Sequence, residues 1–172
     1  MTYLLDTNIV SFFLHASREQ ELAVAAKTTP LAIVGEVRVE LAADPRRGGG
    51  AFAQWLGNSN IEVKEIVLGS PAHAALAQLL VGSTTAKNLG ERASVALTLS
   101  DPTFTFVTYD KNATWLALRE LWAPGEHLLG VAPFLRRLFE DKSLIDVAAI
   151  DDVIASTDIR PSWWGTWRAS IK

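Results

Sequence analysis

The stretch TYLLDTNIV, residues 2–10, decides how the chain is read. Three apolar residues, Tyr3, Leu4 and Leu5, run into a carboxylate, Asp6, and a second apolar run starts at Ile9. A short continuous apolar run bounded by turn residues reads as a buried strand. Asp6, Thr7 and Asn8 are all good N-cap residues, so a helix is expected to begin there. A charge is thus set where a buried strand meets a helix. Helix capping would explain it, and so would a metal site.

The same alternation continues outward. REQELAVAAKT carries the helical stretch on, with a break, to Pro30. LAIV, 31–34, is an apolar run of strand length, and GEVRVELAAD after it has helical spacing and ends before Pro45. RRGGG, 46–50, reads as a flexible basic loop, and AFAQWLGN as a short helix ended by Gly57-Asn58. IEVKEIVL, 61–68, alternates like a strand. Ser70 and Pro71 are an N-cap and a first helical residue. NLGERASVALTLSD, 88–101, suits a helix with one buried face, and FTFVT, 104–108, is a strand of β-branched and aromatic residues. YDKNATWLALRELW then turns helical.

Strands alternating with helices predict an α/β domain, with a central parallel sheet and helices on both faces. The expected domain spans 1–123. Residues 124–172 read as a C-terminal helical extension of the same structural unit. It has two amphipathic helices and a basic tail rich in tryptophan, RPSWWGTWRASIK.

Composition narrows the chemistry. The 172 residues suit a single core, and the formal net charge of −3 favours no polyanionic partner by itself. There is no cysteine, so disulfides, thiolate zinc sites and cysteine nucleophiles are excluded. That fits a reducing cytoplasm, the expected location. No apolar run approaches the length of a membrane span, and the N-terminal residues do not read as a signal peptide. The three histidines, 15, 73 and 127, have no helical pair spacing. Phosphate-binding glycine loops and nucleophile-elbow motifs are absent.

What remains is acid. Asp6 ends the first strand, and Asp110 lies two residues beyond FTFVT. Parallel central strands would bring both out at one sheet edge. Glu40 lies on the helix after the second strand, and Glu91 in the first turn of the helix before the FTFVT strand. Two unit charges about 4 Å apart repel by roughly 4 kcal/mol at an effective dielectric near 20. Four gathered carboxylates therefore need protons or a divalent cation. Oxygen ligands without histidine favour Mg²⁺ or Mn²⁺, as one ion or two.

YLLDTNIV, VRVEL at 37–41, GERASVALTLS at 90–100 and FVTYDKN at 106–112 resemble, in order and spacing, the four acidic motifs of PIN domains, most closely the VapC-like toxins. The resemblance covers roughly residues 1–120. It implies a three-layer sandwich and a metal-dependent endoribonuclease that is the toxin of a toxin–antitoxin pair. It further implies an RNA substrate, a protein antitoxin and a homodimer. Carried over, Asp6, Glu40, Glu91 and Asp110 would be the catalytic metal ligands. Asn8 would hydrogen-bond and orient the pocket, and Thr108 is the small hydroxyl residue before the last acid. Glu91 stands where many members have aspartate.

Other readings bear on each residue. Glu36 lies one turn before Glu40 on the same face and is its rival. Asp101, before Pro102, is a turn former. Arg46, Arg47 and Arg92 are candidate nucleic-acid contacts, or else solvated side chains. Arg136 and Arg137 read as an exposed helix face. Trp163, Trp164 and Trp167 could stack on unpaired bases, or pack on a core or a partner. The alternative function is a catalytically silent PIN-like module that binds RNA or protein. A dehalogenase-like phosphotransferase is disfavoured because Asn8 stands where its second acid is needed. A receiver domain is disfavoured because its acidic pair is missing.

Overall fold

A computed structural model describes residues 1–43, 49–81, 88–140 and 145–157, with 165, 166 and 169. In chain order it contains β1 (Thr2–Leu5), α1 (Thr7–His15), α2 (Glu19–Ala25), β2 (Leu31–Val34), α3 (Gly35–Ala43), α4 (Gly49–Asn58) and β3 (Glu62–Lys64). There follow α5 (Pro71–Leu80), α6 (Leu89–Ser100), β4 (Phe104–Val107), α7 (Lys111–Glu120), α8 (Pro124–His127), β5 (Leu128–Leu129), α9 (Val131–Glu140) and α10 (Val147–Ala155). The chain is an α/β protein whose five strands form one all-parallel sheet, flanked by helices as a three-layer sandwich.

The strand order is β3-β2-β1-β4-β5. β1 is central. It pairs with β2 from Tyr3 opposite Leu31, and with β4 from Thr2 opposite Phe104 to Leu5 opposite Val107. The first three strands are laid down in one direction, and the chain then crosses β1 to place β4 and β5 on its other side. The order reverses between β1 and β4. In open parallel sheets that reversal opens a crevice at the carboxyl ends of the strands, where ligands bind. Asp6 follows β1 and Asp110 follows β4, so both acids stand at that crevice.

Burial explains the strand composition. β2 and β4 are buried along their whole length, as is β1 after Thr2, which is why they read as unbroken apolar runs. The main core joins Leu4, Leu5, Ile9, Phe13 and Ile33 to Phe134, Leu135 and Ile150. A smaller cluster sets Phe106 against Val95, Ala113, Ala117 and Leu121. Asp146 caps α10 by accepting from the Ala149 amide at 2.6 Å.

Three differences from the sequence reading have physical reasons. The expected strand 61–68 shortens to Glu62–Lys64, because β3 is an edge strand whose only partner turns into α3 after Val34. Val67 and Leu68 beyond it are exposed. β5 was not expected: two residues are too few for any periodic signal, yet Phe106 opposite Leu128 and Val107 opposite Leu129 complete the sheet. Arg137 is not on an exposed face but half-buried, with a nitrogen 3.3 Å from the Tyr3 hydroxyl. From Pro124 on, then, the chain adds a strand to the sheet and two helices to its core. Arg18 clamps this part from the other side, holding Asp152 of α10 at 2.7 Å and Glu21 at 2.7 Å.

Arg46, Arg47, Trp163, Trp164 and Trp167 lie outside the described residues. Among the described residues no helix is long and apolar enough to cross a membrane.

Candidate functional site

Asp6 is 2 % exposed, the only carboxylate among the buried described residues. The ladder places it opposite Thr108, one step beyond the pair of Leu5 and Val107. The Thr108 hydroxyl donates to Asp6 Oδ2 at 2.6 Å, and the Thr7 amide donates to Asp6 Oδ1 at 2.8 Å. The second bond makes Asp6 the N-cap of α1. Capping and a site role coexist in one side chain, since each oxygen retains lone-pair capacity.

Glu40 arrives from α3. Its Oε2 accepts from the Thr7 hydroxyl at 2.5 Å, and its Oε1 lies 3.4 Å from the Gly90 amide at the start of α6. The close approach of α3 and α6 depends on Gly90. A Cβ there would meet Val37 Cγ2 at 3.0 Å and Glu40 Oε1 at 3.1 Å. Glu91, the next residue, opens toward the same space.

Asp6, Glu40 and Glu91 line one cavity of about 400 Å³ together with Thr7, Asn8 and Asn88. Glu36 does not; it faces a neighbouring cavity with Arg38 and Glu65, and its buried Oε2 has no hydrogen-bond partner among the described residues. Asp110 is absent from the acidic cavity's lining. Its Oδ1 accepts from the amides of Asn112 at 2.6 Å and Ala113 at 3.0 Å, capping α7. It remains within electrostatic reach of Asp6 and Glu91.

Asn8 hydrogen-bonds to the backbone beside Asp110. Its Oδ1 accepts from the Tyr109 amide at 3.3 Å, so it holds the turn between β4 and α7. The side chain that steadies Asp6 is Thr108, which also accepts from the Asp110 amide at 3.1 Å. Thr108 therefore links the two acids. Tyr109 braces this turn from behind, donating its hydroxyl to the Thr157 carbonyl at 2.7 Å and meeting the Phe12 ring edge-on at 5.0 Å.

The electrostatics match the geometry. Burial pushes the Asp6 carboxyl up to about 6 against the pull of its Thr108 and Thr7 bonds, with Glu40 and Asp110 adding to the rise. Burial also pushes Glu91 up to about 8, reinforced by Asp6, Asp110 and Glu40 and opposed by Arg92. The Asp6, Asp110 and Glu40 charges all bear on Glu91, and those of Glu40 and Asp110 on Asp6.

These shifts set an expected pH dependence. Both groups bind a proton more tightly folded than unfolded, so the native state holds more protons over the interval between the two values. Stability is full below about pH 4 as far as these groups are concerned. It falls as pH rises through about 6 for Asp6 and about 8 for Glu91. In a chelator-containing buffer, thermal unfolding should therefore occur at lower temperature at pH 8.5 than at pH 5.5. Glu91→Gln should flatten the upper part of that slope. A melting temperature that climbs with pH over this range would contradict the arrangement.

The carboxylates suit a hard divalent cation in kind: oxygen donors with an excess of negative charge. They are not gathered into a ligand cluster as they stand. Among the described residues no group of three His, Cys, Asp or Glu side chains is positioned to hold a metal. Thr7 holds Glu40, Thr108 and the Thr7 amide hold Asp6, and the α7 amides hold Asp110.

Sequence reasoning passed over Ser11 and His15, which line the cavity beside Thr7. The signal was present: Thr7, Ser11 and His15 follow at i, i+4 and i+8 along one face of α1. No protein-family model, curated protein or solved structure matches this chain.

Proposed function

We propose that the chain is a metal-dependent endoribonuclease of PIN type, the toxin of a toxin–antitoxin pair. The observation that carries this reading is the cavity at the sheet's switch point, where Asp6, Glu40 and Glu91 arrive from three distant segments and burial beside other carboxylates raises the proton affinity of Asp6 and Glu91. The order of the four acidic motifs supports it. An antitoxin, a second copy of the chain and a cytoplasmic setting belong to the same proposal.

Asp6, Glu40, Glu91 and Asp110 would hold Mg²⁺ or Mn²⁺. Such an ion would lower the pKa of a bound water, so that it is deprotonated and nucleophilic near neutral pH, and would supply positive charge for the phosphodiester oxygens. The protein's part is positioning. Thr108 and the Thr7 amide fix the Asp6 carboxylate in one orientation, at the end of a central strand that cannot move without breaking two ladders. Thr7 and the start of α6 aim Glu40 into the same space. Because ligands must be deprotonated, affinity for the ion rises with pH between about 6 and 8.

Purified protein should cleave structured RNA when Mn²⁺ is added and stop when a chelator removes it. At pH 8 and free Mn²⁺ near 100 times its dissociation constant, stability should rise by about 2.7 kcal/mol. Calorimetry that detects no Mn²⁺ binding, with RNA still bound, would favour the silent module. One observation leans that way: Asp110 is engaged as the cap of α7 and stands outside the cavity lining.

A further inference from the structure

A larger cavity, about 580 Å³, adjoins the acidic one and shares Asn88 and Glu91 with it. It runs between the first turn of α6 and the outer face of α7. Arg92 comes from α6; Asn112, Trp115 and Arg119 come from α7 at i, i+3 and i+7, one continuous stripe. The Trp115 side chain is 64 % exposed on a helix whose inner face is built from Ala113 and Ala117. Burial does not account for an indole there.

We infer that this groove is a subsite for single-stranded nucleic acid, with an unpaired base stacked on Trp115 and flanking phosphates met by Arg92 and Arg119. The inference rests on the nuclease reading of the adjoining cavity. Four features favour this occupant. The groove is continuous with the acidic cavity, so a strand cut there must cross one of its borders. An acidic cavity repels a polyanion, and the two arginines supply charge of the sign it needs. Arg92 is anchored by donating to the Leu79 carbonyl at the end of α5. Arg119, itself exposed, pairs among the described residues with its neighbour Glu120 at 2.6 Å, a surface pair weak enough to exchange for a phosphate. Asn88 and Asn112 add carboxamides that can donate to and accept from base edges. A stacked base must be unpaired, which excludes an intact duplex.

The test uses full-length chain carrying Asp6→Asn, so that RNA is held and not cut, and a labelled single-stranded oligoadenylate of about ten nucleotides. Fluorescence anisotropy should show tighter binding to this strand than to its duplex. Trp115→Ala should weaken binding by roughly 5- to 100-fold, and Trp115→Tyr should restore most of it. Trp122→Ala, still more exposed but outside the groove, should change nothing. Arg119→Ala should reduce the salt dependence. In the chain with Asp6 intact, Trp115→Ala should raise KM and leave kcat nearly unchanged. If wild type cuts RNA but Trp115→Ala matches it in binding and KM, the subsite is overturned and the nuclease reading stands. If nothing is cut yet binding depends on Trp115, the nuclease reading falls and the subsite stands. Equal affinity for duplex overturns the subsite. So does a Trp115→Ala chain that loses self-association in sedimentation but keeps its RNA affinity, which would assign the indole to a second copy.

Discussion

Asp6→Asn is expected to lower Mn²⁺-dependent RNA cleavage by at least about 100-fold, while the melting temperature stays close to that of the wild type or rises. Loss of a side chain that merely supports a metal ligand typically reduces affinity or activity by about 10- to 100-fold, and Asp6 would be the central ligand itself. The fold should tolerate the change. Asparagine keeps an oxygen to accept from the Thr7 amide, and Asn is as good an N-cap as Asp. It also removes a buried charge that Glu40 and Asp110 disfavour. Activity and stability should therefore move independently, or in opposite directions. A carboxylate kept only for capping predicts unchanged activity with a similarly small change in stability, so activity separates the two readings. Cleavage by Asp6→Asn equal to wild type would mean that the cutting belongs to a contaminant or to another site.

The frame that positions this residue could be read from sequence because its signals are local. β1, β2 and β4 are apolar runs ended by a residue that turns the chain: Asp6, Gly35, and the Thr108–Asp110 turn. Ser70 and Pro71 mark the start of α5 without reference to anything distant, and the Ser70 hydroxyl does accept from the His73 amide at 3.1 Å. Tertiary pairings carry no such local mark. β5 exists because β4 offers an unpaired edge to two leucines. β3 is short because its partner ends. The same division holds within the site. Asp6 and Asp110 are legible as acids after strands, but the diversion of Asp110 to the α7 amides depends on how the turn closes. Glu40 and Glu36 sit one turn apart and look alike in sequence. The crossing of α1 over α3 separates them, by giving Glu40 the Thr7 hydroxyl from 33 residues away. The Trp115 groove needs two helices, α6 and α7, to lie side by side across the strand that separates them in sequence, so a list of strong motifs passes over it.

Phe134→Ala is the second large effect expected. It should destabilise the chain by about 3–5 kcal/mol, the usual range for deleting a buried aromatic ring. Phe134 is fully buried, joins the main core, and meets the ring of Tyr3 edge-on with centroids 5.4 Å apart. Tyr3 belongs to β1, the central strand that ends in Asp6. An α9 that only decorated a domain complete at residue 123 would tolerate the change. If α9 closes one side of that domain, a cavity opens directly against β1. Domains have net stabilities of about 5–15 kcal/mol, so this one change removes a large share. The melting temperature should fall by roughly 6–20 °C. Arg136→Ala, on the exposed face of the same helix, breaks among the described residues an exposed 2.6 Å pair with Glu140 and should change stability by no more than about 0.5 kcal/mol. Cleavage per folded molecule, measured well below the transition, should remain near that of wild type for both variants, because neither touches the acidic cavity. A Phe134→Ala chain that melts like wild type would show that residues beyond 123 are dispensable to the fold. One that folds normally but no longer cuts would place α9 in the site.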